Sequence, residues 1–423
     1  MPIALIDGNN FYVSCERVFN PKLEGKPVVV LSNNDGVAVS RSLEAKALAV
    51  PMAEPWFKFS ATAKKHGIVA LSSNYALYAN MSDRMMAVLS QFSPDQEVYS
   101  IDECFLGLDG FDHLDLVEYG REMRRRVRQW VGIPVCVGIA PTKTLAKLAN
   151  YCAKKNLAGS EGVCDFGRLS ESQMSRLLST IDVEEIWGVG RKLSEQLNAR
   201  GIKTVEQLRK ADAKTLRREF SVVMERTMME LNGTPCISME EVASVKQQII
   251  SSRSFGTPVK DIEQLQEAVA TYIAIAAEKL RAQGSAAGMV QVYIRTSAFR
   301  TDIDAYNGQQ TIPLPAASDD TLHLTRAALW GLKRIYKPGF SYTKAGVVLM
   351  NLCDADSVQP DMFSTGKDNS RVMAVMDKIN NIYGRGTLRT AAAGVGQKQD
   401  WRMKRERMSP AYTTKWDQLP RAR

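Results

Sequence analysis

Two adjacent acidic residues interrupt an apolar stretch of this chain. Residues 97–106 have the composition of a buried strand, yet Asp102 and Glu103 stand within it. A buried ionised carboxylate is costly unless it is paired or binds a metal ion. We therefore expect a basic partner or a divalent cation here, unless the two acids lie in a surface hairpin turn without function. Because neighbouring strand residues point to opposite faces, the two acids converge only near a strand end, a bend or a bulge.

A third acid, Asp7, ends the first predicted strand, which begins with the apolar run 2–6. Three carboxylates suit Mg²⁺, which prefers oxygen ligands and binds beside substrate phosphates. Two such ions about 4 Å apart can clamp the attacking and leaving oxygens of a phosphoryl displacement. The three histidines are far apart in sequence and the seven cysteines form no C-x-x-C pair, so a zinc site of His and Cys is not expected.

Length and hydropathy limit the class of protein. The 423 residues predict two to four domains at roughly 150 residues each. No apolar run approaches the roughly 18 residues that span a bilayer, and the N-terminal run lacks the basic segment of a signal peptide. The scattered cysteines favour reduced thiols. We expect a cytoplasmic protein with no membrane partner.

The excess positive charge lies in the C-terminal part of the chain. The net charge is +9, yet residues 1–165 carry 18 basic and 18 acidic residues and residues 166–242 carry 12 of each. Residues 243–350 and 351–423 carry 12 and 13 basic residues, each against 8 acids. Basic residues that neutralise phosphates give sequence-independent nucleic-acid affinity. A basic surface kept only for solubility would have the same composition.

Hydrophobic periodicity predicts a mixture of strands and helices. A helix capped by Thr142 is expected to end before Gly159, and residues 166–242 read as short helices around a two-glycine turn at 188–190. Residues 243–350 give a β-α-β-β-α-β order with one strand unclear, followed by a polar linker and a small tail. The predicted strands are 2–6, 27–31, 133–139, 247–255, 289–296 and 345–352, and the predicted C-terminal helices are 262–281 and 320–335.

Several motifs occur in a fixed order along the whole chain. They are Asp7 with residues 10–12, then 99–103 and 138–147, and supporting stretches at 30–36, 72–75, 252–256 and 409–414. Together they resemble the Y-family translesion DNA polymerases, and within them the UmuC subfamily. The resemblance implies an α+β multidomain, right-hand polymerase. Its parts would be palm and fingers at 1–165 (fingers about 20–72), a helical thumb at 166–242, a little finger at 243–350, and a linker and tail at 351–423.

The resemblance assigns chemistry to matching positions. Asp7, Asp102 and Glu103 would be the ligands of two Mg²⁺ ions. Tyr12 would be the steric gate that lies under the incoming sugar, and Phe11 beside it would belong to the same substrate-binding position. The alternative is that both are core aromatics below a strand end, and we favour that interpretation for Phe11. Lys154 would contact the triphosphate, although Lys155 leaves that register uncertain by one residue.

The predicted fingers depart from the family pattern. Many members have Tyr-x-x-Arg facing the triphosphate, and residues 43–46 of this chain are Leu-Glu-Ala-Lys. Lys46 keeps a charge but lacks the bidentate fork of arginine, and the missing tyrosine removes a hydroxyl contact. Arg41 nearby is a candidate to compensate.

Contacts to DNA are expected from two regions. Gly188 and Gly190 frame a turn that resembles a helix–hairpin–helix, which aims backbone N–H groups at a phosphate, and Arg191 and Lys192 follow at once. The alternative is a plain helix–helix turn. In the little finger the candidates for contact with the DNA backbone are Lys246, Arg253, Lys260, Arg295, Arg300 and Lys344.

Partners are implied by one peptide and by the resemblance. Gln359, Met362 and Phe363 match the peptide that docks into the bacterial β sliding clamp. The basic and apolar tail at 401–408 is a candidate contact for DNA or a partner. UmuC-like polymerases also work with a UmuD′-like dimer and with RecA.

The expected function is error-prone, template-directed nucleotidyl transfer from dNTPs to a primer on damaged DNA, in SOS mutagenesis and DNA repair. Two alternatives use the same residues. The first is a DNA- and clamp-binding scaffold with an inactive palm, and the second is a metal-dependent nuclease.

Overall fold

The computed structural model describes residues 2–240, 245–297, 305–358, 369–394, 399 and 401–420. Contacts divide the chain into two units. Unit 1 comprises Met1–Ser32, Gly36–Ala243 and Arg407–Arg423, and unit 2 comprises Asn33–Asp35 and Ser244–Glu406. The last residues of the chain therefore belong with the N-terminal part rather than with the segment that precedes them.

The described part of unit 1 contains eight strands and eleven α-helices. The strands are β1 Ile3–Gly8, β2 Val28–Leu31, β3 Ala38–Arg41, β4 Val69–Ser72, β5 Gln96–Val98, β6 Glu103–Gly107, β7 Val135–Ala140 and β8 Val163–Asp165. The helices are α1 Phe11–Phe19, α2 Leu43–Ala47, α3 Trp56–Lys65, α4 Tyr75–Leu89, α5 Leu116–Val131, α6 Lys143–Lys155, α7 Glu171–Leu178, α8 Arg191–Ala199, α9 Val205–Arg209, α10 Ala213–Glu219 and α11 Val222–Leu231.

A five-stranded sheet in the order β5-β6-β1-β7-β8 lies at the centre of unit 1. Strand β1 pairs antiparallel with both β6 and β7. Alternation along β1 sends Ala4 and Ile6 into the core that includes residues of α1, α4 and α5. Ile3 and Leu5 enter a second core with residues of α6 and of the helical segment that follows it. Both sheet faces are thus covered, while Asp7 near the end of β1 and Glu103 at the start of β6 are partly exposed.

Helix α6 packs unusually close to this sheet. A Cβ at Gly138 in β7 would lie 2.1 Å from the backbone nitrogen of Asn150 and 2.3 Å from the carbonyl oxygen of Ala146. At the helix start, Thr142 accepts a hydrogen bond from the Leu145 amide and so acts as the predicted cap. The buried carboxylate of Glu230 accepts 3.0 Å from the Thr144 amide. These contacts determine where the lysines of α6 stand.

The remaining parts of unit 1 are smaller. Strands β3, β2 and β4 form a three-stranded sheet in that order, and it buries Val29 and Leu31 with residues of α2 and α3. Helices α7 to α11 follow the central sheet in the chain, and Leu178, Leu197 and Leu208 are among the residues they bury.

Unit 2 contains a four-stranded antiparallel sheet in the order β11-β10-β12-β9, with two helices packed on one face. Its described elements are β9 Ile249–Val259, α12 Ile262–Ala282, β10 Ser285–Arg295, β11 Asn307–Ser318, α13 Thr321–Ile335, β12 Tyr342–Asp354 and α14 Ser370–Tyr383. The predicted β-α-β-β-α-β order is confirmed, and β11 is the strand that the periodicity left unclear.

One sequence prediction was wrong. Residues 97–106 are not a continuous strand, because β5 ends at Val98 and β6 begins at Glu103. The amides of Tyr99 and Ser100 both donate 3.1 Å to the carbonyl oxygen of Glu103, which closes a hairpin turn. The two acids therefore stand at a strand start, where neighbouring side chains can converge.

Two further features bear on the class of protein. All seven cysteines are free, and five of them are buried. Within the described ranges, no helix has the length and apolarity needed to cross a membrane.

Candidate active site

Asp7 and Glu103 are direct cross-strand partners. The antiparallel register of β1 and β6 pairs Asp7 with Glu103, so their side chains leave the sheet on the same face. Their side chains are 16% and 20% exposed. Two partly buried carboxylates are thus held side by side at the end of the first strand.

Asp102 joins them because the β5–β6 turn is tied to the end of β1. The amide of Gly8 donates 2.8 Å to the carbonyl oxygen of Asp102. The hydroxyl of Ser100 donates 2.7 Å to Asp102 Oδ1. The ends of two neighbouring strands therefore bring the three predicted ligands together, although Asp7 is 95 residues before Asp102 in the sequence.

Two lysines of α6 neutralise this acidic group. Lys154 Nζ lies 2.6 Å from Asp7 Oδ2, and Lys147 Nζ lies 2.6 Å from Glu103 Oε1. Lys147 also stands 4.4 Å from the ring centroid of Tyr99 and 5.2 Å from that of Trp187. The ends of β1 and β6 thus supply two carboxylates, and α6 places one lysine ammonium beside each of them.

Burial raises the pKa of Asp7 to about 6, against the opposing effect of the Lys154 ammonium. The neighbouring carboxylates of Glu103 and Asp102 raise it further. A nearby positive charge favours the ionised form of such a carboxyl. The acidic group is therefore arranged to accept cations.

The donor set fits Mg²⁺, although a formed cage is not present. Across the described residues, no group of three or more His, Cys, Asp or Glu side chains is already arranged to hold a metal ion. Instead, Asp7 and Glu103 each contact a lysine ammonium. The ammonium groups are themselves cations that balance these carboxylates, and hard carboxylate oxygens are the ligands that Mg²⁺ prefers.

More cations surround Asp7. Lys46 Nζ donates 2.6 Å to Oδ1 of Asn10. Desolvation lowers the pKa of Lys46, and the charges of Arg41, Lys154 and Lys155 lower it further, so these cations are mutually close. Arg41 donates to the carbonyl oxygen of Val50, and its buried Nε has no hydrogen-bond partner among the described residues. Such a group is suited to a polyanion.

An aromatic group lies beside the carboxylates. Tyr12 stacks on Tyr78 with ring centroids 4.4 Å apart and an interplanar angle of 14°. Tyr75 meets Tyr12 edge-on at 6.1 Å and is 40% exposed. Phe11 differs from its neighbour because it is 3% exposed and belongs to the core. The interpretation of Phe11 as a core aromatic is therefore confirmed.

The two-glycine turn stands where α8 begins. Gly188 has a φ of +90°, which favours glycine, and Gly190 is the residue before the first helical residue, Arg191. Arg191 is paired only loosely with Glu195, at 3.5 Å, and its side chain is 84% exposed. Trp187, which precedes the turn, contacts Lys147 of the acidic group.

The basic residues of the second sheet lie on different faces. Arg295 and Lys344 are register partners on β10 and β12, and their neighbours Ile294 and Ala345 are buried against the helices. Arg253 pairs with Ala345, so alternation puts it on the helix-covered face. The structure thus separates Arg253 from Arg295 and Lys344. Lys246 and Lys260 flank β9, and Arg300 lies outside the described residues.

Sequence reasoning missed several residues of this site. Lys147, Tyr75 and Tyr78 all lie inside or next to motifs that the sequence shows, yet their pairing depends on how α4 and α6 pack. Asn10 has a φ of +48°, an unusual backbone conformation at the start of α1. The predicted clamp peptide, with Gln359, Met362 and Phe363, lies outside the described residues.

Four family models match the chain in order. Residues 6–151 match the impB/mucB/samB family, 173–202 match the helix–hairpin–helix motif of the same family, and 246–362 match its C-terminal domain. Residues 370–422 match a domain of unknown function, DUF4113.

Curated relatives cover nearly the whole chain. A protein named UmuC from Salmonella typhimurium is 43% identical over 99% of this chain and 100% of its own length. A protein named MucB from Escherichia coli is 40% identical over 99% of this chain and 98% of its own. A DNA polymerase IV from Pelotomaculum thermopropionicum is 27% identical over 93% of this chain and 95% of its own.

Solved structures share the fold. A Y-family DNA polymerase chimera of Dbh and Dpo4 covers 83% of this chain and 99% of its own, with a TM-score of 0.66 and 20% identity. An insertion ternary complex of Dbh DNA polymerase covers the same share of this chain, with a TM-score of 0.52.

Proposed function

Since the chain belongs to the impB/mucB/samB family of UmuC-like, Y-family DNA polymerases, we propose that Asp7, Asp102 and Glu103 catalyse its nucleotidyl transfer. The enzyme is an error-prone translesion DNA polymerase. In the reaction the primer 3′-hydroxyl attacks the α-phosphorus of a dNTP and pyrophosphate leaves. We place this reaction in SOS mutagenesis and DNA repair. The comparisons lend no support to the inactive scaffold.

One observation carries this assignment. Asp7 and Glu103 face each other across β1 and β6, and the hydrogen bond from Gly8 to the Asp102 carbonyl holds the third acid at the same strand end. Such an arrangement requires the β5–β6 turn to sit beside the end of β1.

The three carboxylates would hold two Mg²⁺ ions. When bound, these ions lower the pKa of the primer hydroxyl and neutralise the triphosphate. The protein's own contribution is to bury Asp7, which raises its pKa, and to place the carboxylates of Glu103 and Asp102 beside it, which raise that pKa further. A cation bound there would favour the ionised form of Asp7.

The cations around Asp7 would bind the triphosphate. Lys154 is the first candidate, since its ammonium already contacts Asp7 and can turn to a phosphate oxygen. Lys46 and Arg41 would provide further charge from the fingers. Because the sequence lacks the Tyr-x-x-Arg pattern, this chain would rely on point charges and not on a bidentate fork.

Tyr12 would select the sugar. Its ring is fixed by the stack on Tyr78, so it presents a rigid surface that a ribose 2′-hydroxyl would strike. Phe11 would take part only by supporting the turn before α1, because it is buried in the core.

DNA would be held through its backbone. The turn Gly188–Gly190 offers amides and the start of α8, with Arg191 and Lys192 beside it. In unit 2 we assign the contact to the sheet face opposite α12 and α13, here called the open sheet face, which presents Arg295 and Lys344. Arg253 would contribute only from the sheet edge, since Phe255, on the same face of β9, packs on the helices.

The domain plan and partners complete the proposal. We assign palm and fingers to 1–165, thumb to 166–242, little finger to 243–350, and linker and tail to 351–423. Family matches at 6–151, 173–202 and 246–362 support this order of parts. A UmuD′-like dimer, RecA and the β sliding clamp are proposed partners, by likeness to the relatives named UmuC and MucB. The free, buried thiols suit a reducing cytoplasm.

Primer extension tests the assignment. The full chain is incubated with Mg²⁺, dNTPs and a 5′-labelled primer on a template, with and without a UmuD′-like dimer and RecA. We expect extension by the wild type and none by Asp102→Ala, with DNA affinity retained. Shortened primer would indicate the nuclease, and equal extension by both proteins would refute the assignment.

A further inference from the structure

A segment near the end of the chain packs against the N-terminal part of unit 1, a contact that the sequence does not predict. Residues 407–412, here called the tail segment, fall within the domain of unknown function and within unit 1. The Ser72 amide donates 3.0 Å to the carbonyl oxygen of Arg407, and the Arg407 amide donates 3.0 Å to Ser72 Oγ. These bonds attach the tail segment to the end of β4.

A buried hydrogen-bond network continues from this attachment. Ser409 Oγ donates 3.1 Å to Glu16 Oε1. The hydroxyl of Tyr78 donates 2.8 Å to the same oxygen. Asn74 Nδ2 donates 3.0 Å to Ser409 Oγ and 3.2 Å to the carbonyl oxygen of Pro410. All four side chains are buried, with Glu16 1% exposed and Ser409 8%.

This network contains a buried acid that needs its donors. Burial raises the pKa of Glu16, and the hydrogen bonds from Tyr78 and Ser409 oppose that rise. A buried carboxyl that loses a hydrogen bond bears a desolvation cost. Tyr78 and Ser409 thus compensate one acid together, so removing either disturbs the position of the other.

Tyr78 connects the network to the sugar-binding position. Its ring stacks on Tyr12 at 4.4 Å, while its hydroxyl is held by Glu16. Glu16 and Tyr12 both lie on α1. Farther along α1, Phe19 stacks on Tyr412 with ring centroids 5.0 Å apart. Tyr412 of the tail segment therefore contacts α1 at Phe19. Ser409 contacts α1 at Glu16, which also holds the hydroxyl of Tyr78, and the ring of Tyr78 supports the ring of Tyr12.

We propose that the tail segment is a positioning element for Tyr12 and thereby sets the discrimination between deoxyribonucleotides and ribonucleotides. This inference rests on the proposed function, since it takes Tyr12 as the steric gate. Ser409, Asn74 and Glu16 act through Tyr78 and do not touch the nucleotide. Because α1 holds the backbone of Tyr12 and Tyr78 holds its ring, movement of the Tyr12 ring is restricted, and this restriction preserves sugar selectivity.

The test compares Ser409→Ala with Thr414→Ala in the full chain. Thr414 is an exposed hydroxyl outside the tail segment, so it is a matched control. Single-nucleotide insertion gives kcat/KM for a dNTP and for the corresponding rNTP. We expect Ser409→Ala to reduce the dNTP preference roughly three- to tenfold, the rate equivalent of one hydrogen bond, and Thr414→Ala to leave it unchanged.

Two further variants separate positioning from general stability. Tyr78→Phe keeps the stacked ring but removes the hydroxyl, and it should reduce the preference in the same direction. Adding Ser409→Ala to Tyr12→Ala should change the preference no further, because both act on one gate. An unchanged preference in Ser409→Ala, or an equal fall in both insertion rates, would overturn the proposal.

Hydrogen exchange keeps the two proposals distinguishable. In Ser409→Ala, but not in Thr414→Ala, amides of residues 11–19 and 75–78 should exchange faster. If the wild type failed to extend a primer, the proposed function would fall, and this measurement would still show whether the tail segment holds α1. Equal exchange in the two variants would contradict the positioning role.

Discussion

Lys154 of α6 and Asp7 of β1 form an ion pair of 2.6 Å at the end of the central sheet. The pair joins the helix that follows β7 to the first strand of the chain, and it stands beside Glu103 and Asp102. A lysine in this place can serve two partners in turn, a carboxylate before the nucleotide binds and a phosphate afterwards.

Lys154→Met should weaken nucleotide binding. A hydrogen bond to a charged group contributes about 1.5–3 kcal/mol, so KM for the dNTP should rise about tenfold or more, with a smaller change in kcat. Steady-state insertion kinetics measure both constants. Lys155→Met is the matched control on the same helix, and a larger effect there would shift the assignment by one residue.

Tyr12→Ala should admit ribonucleotides. Removing the ring opens the space under the sugar, and we expect rNTP insertion to rise by about tenfold or more relative to dNTP insertion. Tyr12→Phe keeps the ring and should retain the discrimination. Primer extension with rNTPs alone provides the measurement, and unchanged sugar selectivity in Tyr12→Ala would remove this residue from the gate.

DNA affinity should fall as the salt concentration rises, because Arg295 and Lys344 on the open sheet face would contact phosphates. Each phosphate contact adds about 0.9 to the slope of log affinity against log salt for duplex DNA. Arg295→Ala and Lys344→Ala should each reduce that slope by about one, whereas Arg253→Ala, on the helix-covered face, should change it less. Fluorescence anisotropy across a salt series gives the slopes. An equal reduction by Arg253→Ala would contradict this division of the faces.

Gly138→Ala should displace α6. Its Cβ would meet backbone atoms of Asn150 and Ala146 at 2.1 and 2.3 Å, and backbone cannot move aside as a flexible side chain can. We expect a loss of about 1–3 kcal/mol in the free energy of unfolding. Urea titration measures it. Gly190→Ala, where an added Cβ meets nothing within 4 Å, is the control for stability and should unfold near the wild-type midpoint.

Local patterns were sufficient for much of the fold. The apolar runs that became β1, β2 and β7 and the cap at Thr142 depend on neighbouring residues, so they can be read in order along the chain. The alternation of strand and helix in residues 249–354 was confirmed for the same reason. The error at 97–106 arose because a short turn between two strands has no apolar signature of its own.

Pairing across long separations could not be predicted in this way. Lys147 and Lys154 meet their carboxylates only because Gly138 lets α6 approach β7 closely. Arg253 and Lys344 share a charge but not a sheet face, and only the register of β9 with β12 reveals it.

The amino-acid order by itself determined many of the helices and strands and the three acids that stand out against their apolar surroundings, because burial periodicity and charge are local properties. The tertiary structure alone decided which cations face those acids and that Ser409, near the end of the chain, reaches Glu16 and Tyr78 near its beginning. The physical reason is that a buried hydrogen bond depends on distances in space, which the packing of helices on a sheet determines and sequence separation does not.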